Sequence, residues 1–570
     1  MSLALSRWWR SRDERYWTAP IPSSPRLPSN DIPVSASLQA VGERPWWARA
    51  LLLAGLIGAL LGLSGCAAML APKNAAEFPP SSAIALSADS ALGKIALIST
   101  PSPELSGFRL MPLGNYSLDT RLALAARAQR SLDVQYYHIQ NDETGRLFLR
   151  ALRDAAARGV RVRLLMDDLY TSGMDPLLLG LAATPNVEVR LFNPFCCARE
   201  HGQVTRYLAS LSEWSRVNHR MHNKLFVADG AMAIVGGRNV ANEYYLRGAL
   251  DNFIDLDAFA MGHVVPELAA VFDDYWNSDP VYPLTSIARS GKSPDELRQY
   301  FEDATGPATT PLPPPLPAND VLGYGPVSED LEAGRVGLIW GTAKVLADEP
   351  AKVMDDVILD SVTYNVLDEG RKARQELVIS SPYLVPGKFT NQLLRELGQR
   401  KVRVQILTNS LASTDEPVVY TGYSRHRAML LQHGVDLYEL SSSRVQTNQR
   451  QSRFFGKSTA RLHAKLVVID RKTLFVGSMN LDPRSSDINT EMGLVIESPQ
   501  LARELLRIID IDRLQSAYRV RLDANGNCCE WLTIDETGER EMVLTKEPDA
   551  TFWLQLKTLL LSPFVPEELL

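Results

Sequence analysis

Histidine and lysine stand two residues apart at two places in this chain, inside a longer pattern that repeats without a gap. The first copy, HNKLFVADGAMAIVGGRN, carries His222, Lys224, Asp229, Gly236 and Asn239. The second, HAKLVVIDRKTLFVGSMN, carries His463, Lys465, Asp470, Gly477 and Asn480. Each of these residues lies 241 positions after its counterpart, as 463 does after 222. Imidazole titrates near pH ~6.5, so one histidine can attack while another donates a proton. Lys224, Lys465, Asn239 and Asn480 are donors suited to the non-bridging oxygens of an anionic phosphodiester. Arg220 and Arg461, each two residues before its histidine, add positive potential. Ser478 brings a hydroxyl that can donate to the phosphate, beside Asn239 and Asn480, where the first copy has Gly237, so the halves are not chemically equivalent. With the charge met by side chains, no metal ion or other cofactor is given a task.

The elements follow from the spacing. Leu225 to Ala228 is an apolar run ended by Asp229-Gly230, and Met232 to Val235 is a second run ended by Gly236-Gly237. That is strand, turn, strand, repeated at Leu466 to Ile469 and Thr473 to Val476. Residues two apart on a strand share a face, so each histidine points with its lysine into one pocket. Asp229 and Asp470 fall at the turns and read as turn-forming or buried hydrogen-bonding residues. Upstream, a helix over Leu118–Arg130, a strand over Leu132–Tyr137, a helix over Gly145–Arg158 and a strand over Val160–Met166 are expected. The second half echoes them with a strand at Leu377–Ser380, a helix at Thr390–Arg400 and a strand at Val402–Thr408. Strand–helix alternation gives an α/β fold with a parallel-centred sheet in each half. A proline-rich stretch (Pro307, Pro311, Pro313 to Pro315, Pro317) reads as a stiff, exposed linker. The expected organisation is an extension at 1–49, a leader at 50–66, a first lobe at 95–300, a linker at 301–332 and a second lobe at 333–570.

From about residue 95 onwards the pattern resembles the phospholipase D superfamily, whose hallmark is a pair of His-x-Lys-x4-Asp motifs followed by Gly-Gly/Ser-x-Asn. The resemblance implies two α/β lobes from an internal duplication, each a mixed, largely parallel sheet flanked by helices. They share one active site on a pseudo-twofold axis. It implies phosphodiester chemistry through a phosphohistidine without metal, with His222 as nucleophile and His463 as general acid, and it counts both motif aspartates with the catalytic set. It further implies a carboxylate that anchors the other ring nitrogen of a histidine. Glu491 stands where the family places this partner, and Asp255 is the first-half candidate, with Asp257 and Glu243 as alternatives. The stretches SLDVQYY, NDETG, LTNSLASTDEPVVYTGYSRHR, HGVDLYEL, NLDPRSS and NTEMGLVIES are similar to bacterial cardiolipin synthases of the C type. That implies phosphatidyl transfer between phospholipids such as phosphatidylglycerol and phosphatidylethanolamine, with Thr408 to Arg427 as walls of an acceptor pocket. The alternatives are hydrolysis through the same intermediate, as in a phospholipase D or other phosphodiesterase or nuclease, and a non-catalytic phospholipid-binding scaffold.

Composition fits this reading. The 570 residues suffice for two or three domains. A net charge of −6 and pI about 5.9 argue against broad nucleic-acid binding, which wants a basic surface, so no nucleic-acid partner is expected. Ala50 to Leu63 is apolar, preceded by Arg44 and Arg49 and followed by Leu-Ser-Gly-Cys66. This resembles a bacterial lipobox and implies a lipoprotein anchored at Cys66 in the cell envelope, facing the periplasm. The alternative is a single membrane-spanning helix over Ala50–Ala71. Outside the cytoplasm, Cys196-Cys197 and Cys528-Cys529 suggest disulfides, with a bond between the first lobe and the C-terminal segment as one option.

Overall fold

The computed structural model describes residues 79–354, 361–447, 458–510, 516–534, 540–561 and 566–567, so the leader and Cys66 lie outside the described residues. In the first half the strands are β1 (Ser106–Met111), β2 (Ser131–Tyr136), β3 (Arg161–Asp167), β4 (Val187–Phe192) and β5 (Lys224–Ala228). They continue with β6 (Met232–Gly236), β7 (Asp251–Ile254), β8 (Asp257–Gly262) and β9 (Val281–Pro283). One sheet runs β1-β8-β6-β5-β2-β3-β4-β9. β2, β3 and β4 are mutually parallel, and the flanking pairs are antiparallel. Parallel neighbours need a crossover, supplied here by the helices Glu143–Ala157 and Asp175–Ala182.

The second half repeats the plan with β10 (Ile339–Ala347), β11 (Glu376–Ser380), β12 (Arg403–Asn409), β13 (Val435–Leu440) and β14 (Thr459–Leu462). After them come β15 (Lys465–Ile469), β16 (Thr473–Gly477), β17 (Met492–Glu497) and β18 (Ala517–Leu522). The order β10-β17-β16-β15-β11-β12-β13-β18 matches the first sheet strand for strand, with β11, β12 and β13 parallel. β10 also joins the two sheets: Ile339, Trp340 and Gly341 pair with β1, while Thr342 to Ala347 pair with β17. Between the lobes lies an apolar core to which both contribute, Phe108, Val235 and Phe272 meeting Leu466, Val476 and Leu494.

The proline-rich stretch has neither helix nor strand from 311 to 317, between the helices Pro294–Thr305 and Val327–Glu332. It is held to the first half, since the Tyr116 hydroxyl donates to the Pro317 carbonyl at 2.5 Å and Arg247 donates to that of Pro311 at 3.2 Å. The Cys528 and Cys529 sulfurs touch each other, and neither Cys196 nor Cys197 is paired with them, so no bond joins the first lobe to the C-terminal segment.

Both motif aspartates sit at the hairpin turns with φ of 52° and 49°, in the left-handed region that Asp tolerates. The Asp229 carboxylate accepts the backbone N–H groups of Gln129, Arg130 and Ser131 at 2.8–3.1 Å, at the entry to β2. Asp470 does the same for Arg374, Gln375 and Glu376 before β11. Neither reaches the pocket described below, which corrects their inclusion among the catalytic residues. Their position at the turn end of the hairpin, opposite the histidine, is the reason. Replacing Asp229 by Ala should strand three N–H groups and lower the unfolding free energy by about 3 kcal/mol. Denaturant titration checks this, and a loss below about 1 kcal/mol would mean that water substitutes for the carboxylate.

Candidate active site

Two parallel contacts between the lobes build the site. β7 and β14 pair in parallel, with Ile254 opposite Leu462, and the backbone N–H of His463 donates to the Ile254 carbonyl at 2.8 Å. The next residue on each side is therefore Asp255 and His463. A parallel bridge between Met221 and Thr490 repeats this, with the His222 N–H on the Thr490 carbonyl at 2.9 Å. There the next residues are Glu491 and His222. The residue before each histidine is pinned in the same way, from the end of the central parallel strand of its own lobe. Asp167 accepts the N–H of Met221 at 2.9 Å, and Asn409 accepts that of Leu462 at 2.9 Å.

The carboxylate partners are thus crossed between lobes. His222 Nδ1 lies 2.9 Å from Glu491 Oε2, and His463 Nδ1 lies 2.6 Å from Asp255 Oδ2. Register explains their equivalence: Gly236 faces Asp257 and Gly477 faces Gly493, so each carboxylate stands two residues before the partner of its motif glycine. The sequence gap differs because the segment after Asn239 carries β7 and the short turn Asn242–Tyr245. Asp257 is instead committed to Arg121 at 3.0 Å, and Glu243 lies in that short turn.

The unequal residues after the motif glycines fit their carboxylates. A Cβ on Gly237 would come within 2.2 Å of Asp255 Oδ1, so only glycine lets the shorter acid sit there. In the other half the Ser478 hydroxyl donates to Glu491 Oε2 at 2.5 Å and Ser485 donates to Oε1 at 2.8 Å. Ser478 therefore holds the carboxylate and does not face the pocket, which corrects its expected place as a phosphate ligand. Ser485 was not singled out by the sequence, though it belongs to the NLDPRSS stretch.

With Nδ1 engaged, both imidazoles open onto one pocket of about 370 Å³, which Asn239 and Asn480 also line. The Asn239 amide donates to the Tyr244 hydroxyl at 2.9 Å. The buried Oδ1 atoms of both asparagines have no hydrogen-bond partner among the described residues. An amide rotated by half a turn presents its N–H to the pocket instead. Lys224 and Lys465 are buried behind the histidines, each Nζ on the carbonyl of its own histidine at 2.6 Å. Burial pulls Lys224 well below the usual lysine range, against the pull of Glu491, and takes Lys465 down to about 8. Of the 408–427 stretch, Asp415, Glu416, Val418 and Val419 reach the pocket, and burial beside Asp415 raises Glu416 to about 7. Arg220 is buried on the carbonyls of Val217 and Asn193, and Arg461 pairs with Asp251 at 2.7 Å, so neither expected arginine lines the pocket. Arg484 does, as do Tyr137 and Tyr244, whose rings stand edge-on to His222 and His463 at 4.9 and 5.0 Å. Tyrosine spacing alone carries no signal for this.

Duplicated α/β lobes that bring two His-x-Lys pairs to one pocket define an enzyme of the phospholipase D type. The chain belongs to the family described as Cardiolipin synthase, PLD-like domain, whose model matches residues 122–276 and 366–513. It is 39% identical over 479 residues to Cardiolipin synthase C of Escherichia coli K12, covering 81% of this chain and 96% of the relative. It is 25% identical to Cardiolipin synthase A of Pseudomonas fluorescens, covering 71% and 68%. A crystal structure of phosphatidylserine synthase from Haemophilus influenzae Rd KW20 shares the fold, with a TM-score of 0.51, 13% identity, and 83% and 96% of the two chains covered.

The close approach at Gly237 gives a test of the crossed arrangement. Gly237→Ala should push Asp255 off His463 and lower turnover by about a hundredfold, the scale of losing a carboxylate that orients a histidine. Ala at this position with full activity would mean that the Asp255–His463 contact is dispensable.

Proposed function

We propose that this enzyme transfers a phosphatidyl group between phospholipids through a phosphohistidine, in the manner of a cardiolipin synthase. The observation that carries the reading is the pair of crossed histidine–carboxylate contacts opening onto one pocket. His222 Nε2 attacks phosphorus, the bond to the departing alcohol oxygen breaks, and His463 Nε2 gives that oxygen its proton. An acceptor hydroxyl then passes its proton back to His463 and displaces His222. Lys224, Lys465, Asn239 and Asn480 meet the phosphate charge.

The assignment of roles has electrostatic support. Burial first, and then the charges of Lys224, Lys465 and His463, hold His222 well below the ordinary histidine range, favouring the neutral nucleophile. Burial also lowers His463, but Asp255 opposes it by charge and hydrogen bond. Asp255 itself, despite its burial, is brought down to about 2 by His463 and Lys465, so it stays ionised. The proton therefore favours His463.

Phosphatidylglycerol and phosphatidylethanolamine are the proposed substrates, and the envelope, with the chain anchored at Cys66, is the proposed location. Similarity to Cardiolipin synthase C supports a lipid alcohol as acceptor, and an oriented hydroxyl gains a large effective molarity over solvent water. Labelled phosphatidylglycerol with phosphatidylethanolamine in mixed vesicles should yield labelled cardiolipin. That product should fall more than about a hundredfold in His222→Ala and in His463→Ala separately. Phosphatidic acid as sole product would reassign the chain to hydrolysis, and label trapped on His463 would reverse the histidine roles.

A pH dependence follows from Glu491, whose carboxyl burial raises to about 7. Only its ionised form balances the positive charge that grows on His222 during attack. Turnover should therefore rise on the acid side as Glu491 ionises and fall on the alkaline side as His463 loses its proton. Glu491→Gln accepts the same Nδ1–H without titrating, so it should lose the acid limb and lower the plateau by about tenfold to a hundredfold. An acid limb that persists in the Gln variant would assign it to another group.

A further inference from the structure

The short helix Gln203–Ala209 is built inside out. Its inward residue Arg206 is fully buried with its guanidinium on Asp168 at 2.5 Å, and Arg199, just before the helix, reaches the same carboxylate at 2.8 Å. Apart from Thr205, its exposed residues are apolar: Val204 is 74% and Leu208 62% exposed, followed by Leu211 at 50% in the next turn. Helices of water-soluble surfaces show the reverse pattern. The third face, Gln203 and Tyr207, lines the active pocket.

We propose that Val204, Leu208 and Leu211 seat the pocket rim on a phospholipid bilayer. The inference rests on phosphatidyl transfer being the activity. A pocket of about 370 Å³ lies at the small end of the range for drug-sized ligands and is too small for a whole diacyl lipid. Its lining is mostly tyrosine, histidine, asparagine and carboxylate, with Leu169, Val418 and Val419 as the aliphatic exceptions. Acyl chains gain nothing by entering it. The phosphate must reach the histidines while the chains stay in the membrane, so the membrane surface has to meet the rim. A protein partner or a second copy seated on this helix would stand between the pocket and its lipids. Exposed aliphatic residues at the rim are the side chains that lie at a headgroup–acyl boundary. The Arg206–Asp168 and Arg199–Asp168 pairs hold the helix from behind, so its apolar face needs no protein core.

The test uses the full chain reconstituted in phosphatidylglycerol–phosphatidylethanolamine vesicles, with soluble dihexanoylphosphatidylglycerol as a second substrate. The variant is Val204→Ser with Leu208→Ser and Leu211→Ser. The control is Ile98→Ser, exposed on the helix Ala91–Ser99, which contributes nothing to the pocket. The triple variant should lose about tenfold on vesicles and stay within about twofold on the soluble lipid, the control changing neither. Vesicles should also slow hydrogen exchange over 203–214 in the unaltered chain. Equal vesicle turnover would overturn the proposal. So would an equal loss on both substrates, which would put the helix in the pocket, or a loss accompanied by a change of oligomeric state, which would make it an interface between copies. If the unaltered chain transferred no phosphatidyl group, the functional reading would fall, while exchange over 203–214 would still decide the docking surface.

Discussion

Two histidine–carboxylate hydrogen bonds that cross between the lobes are the constraint on which the rest of this structure depends. Each lobe supplies the base-bearing ring of one pair and the acid of the other, so neither lobe alone contains an oriented histidine. The ring geometry is not left to long side chains. A parallel backbone contact one residue upstream, Ile254 with Leu462 and Met221 with Thr490, sets each pair in register before the side chains meet. The apolar core between the lobes then holds both contacts closed.

Burial gives this arrangement its chemistry. Lysines taken out of water lose part of their hold on a proton, and a buried carboxyl gains one, so the groups are poised near neutrality. An arriving phosphate anion offsets part of the cost of burying the two ammonium groups that stand behind the histidines. The duplicated halves are tuned apart by one atom group, the serine hydroxyl present at Ser478 and absent at Gly237. That difference matches a longer acid on one side and a shorter one on the other.

Much of this was legible in the sequence because it is periodic. The hairpins, the strand–helix alternation and the gap-free repeat depend on local spacing, and each expected element falls within a few residues of its observed place. The role of Asp229 and Asp470 at the turns was legible for the same reason, although motif membership alone had placed them with the catalytic set. What the spacing did not contain was partnership across the chain. That Glu491 serves His222, and Asp255 serves His463, depends on parallel contacts between segments more than two hundred residues apart. Ser478 looked like a phosphate donor because its position was visible and its hydrogen-bond partner was not. Arg220 and Arg461 counted as charge until the structure placed their guanidinium groups on carbonyls and on Asp251.

β10 has a consequence for how substrate and product come and go. One uninterrupted strand spends its first residues on the first sheet and the remainder on the second. Because side chains alternate along a strand, a slip of one residue would turn over the faces it presents to both sheets together. This run of main-chain hydrogen bonds, with the two parallel contacts at the site, therefore fixes the angle between the lobes. Clamshell opening would unzip that run, so traffic through the pocket falls to the segments at its mouth, and turnover in this architecture is a matter of the doorway rather than of the walls.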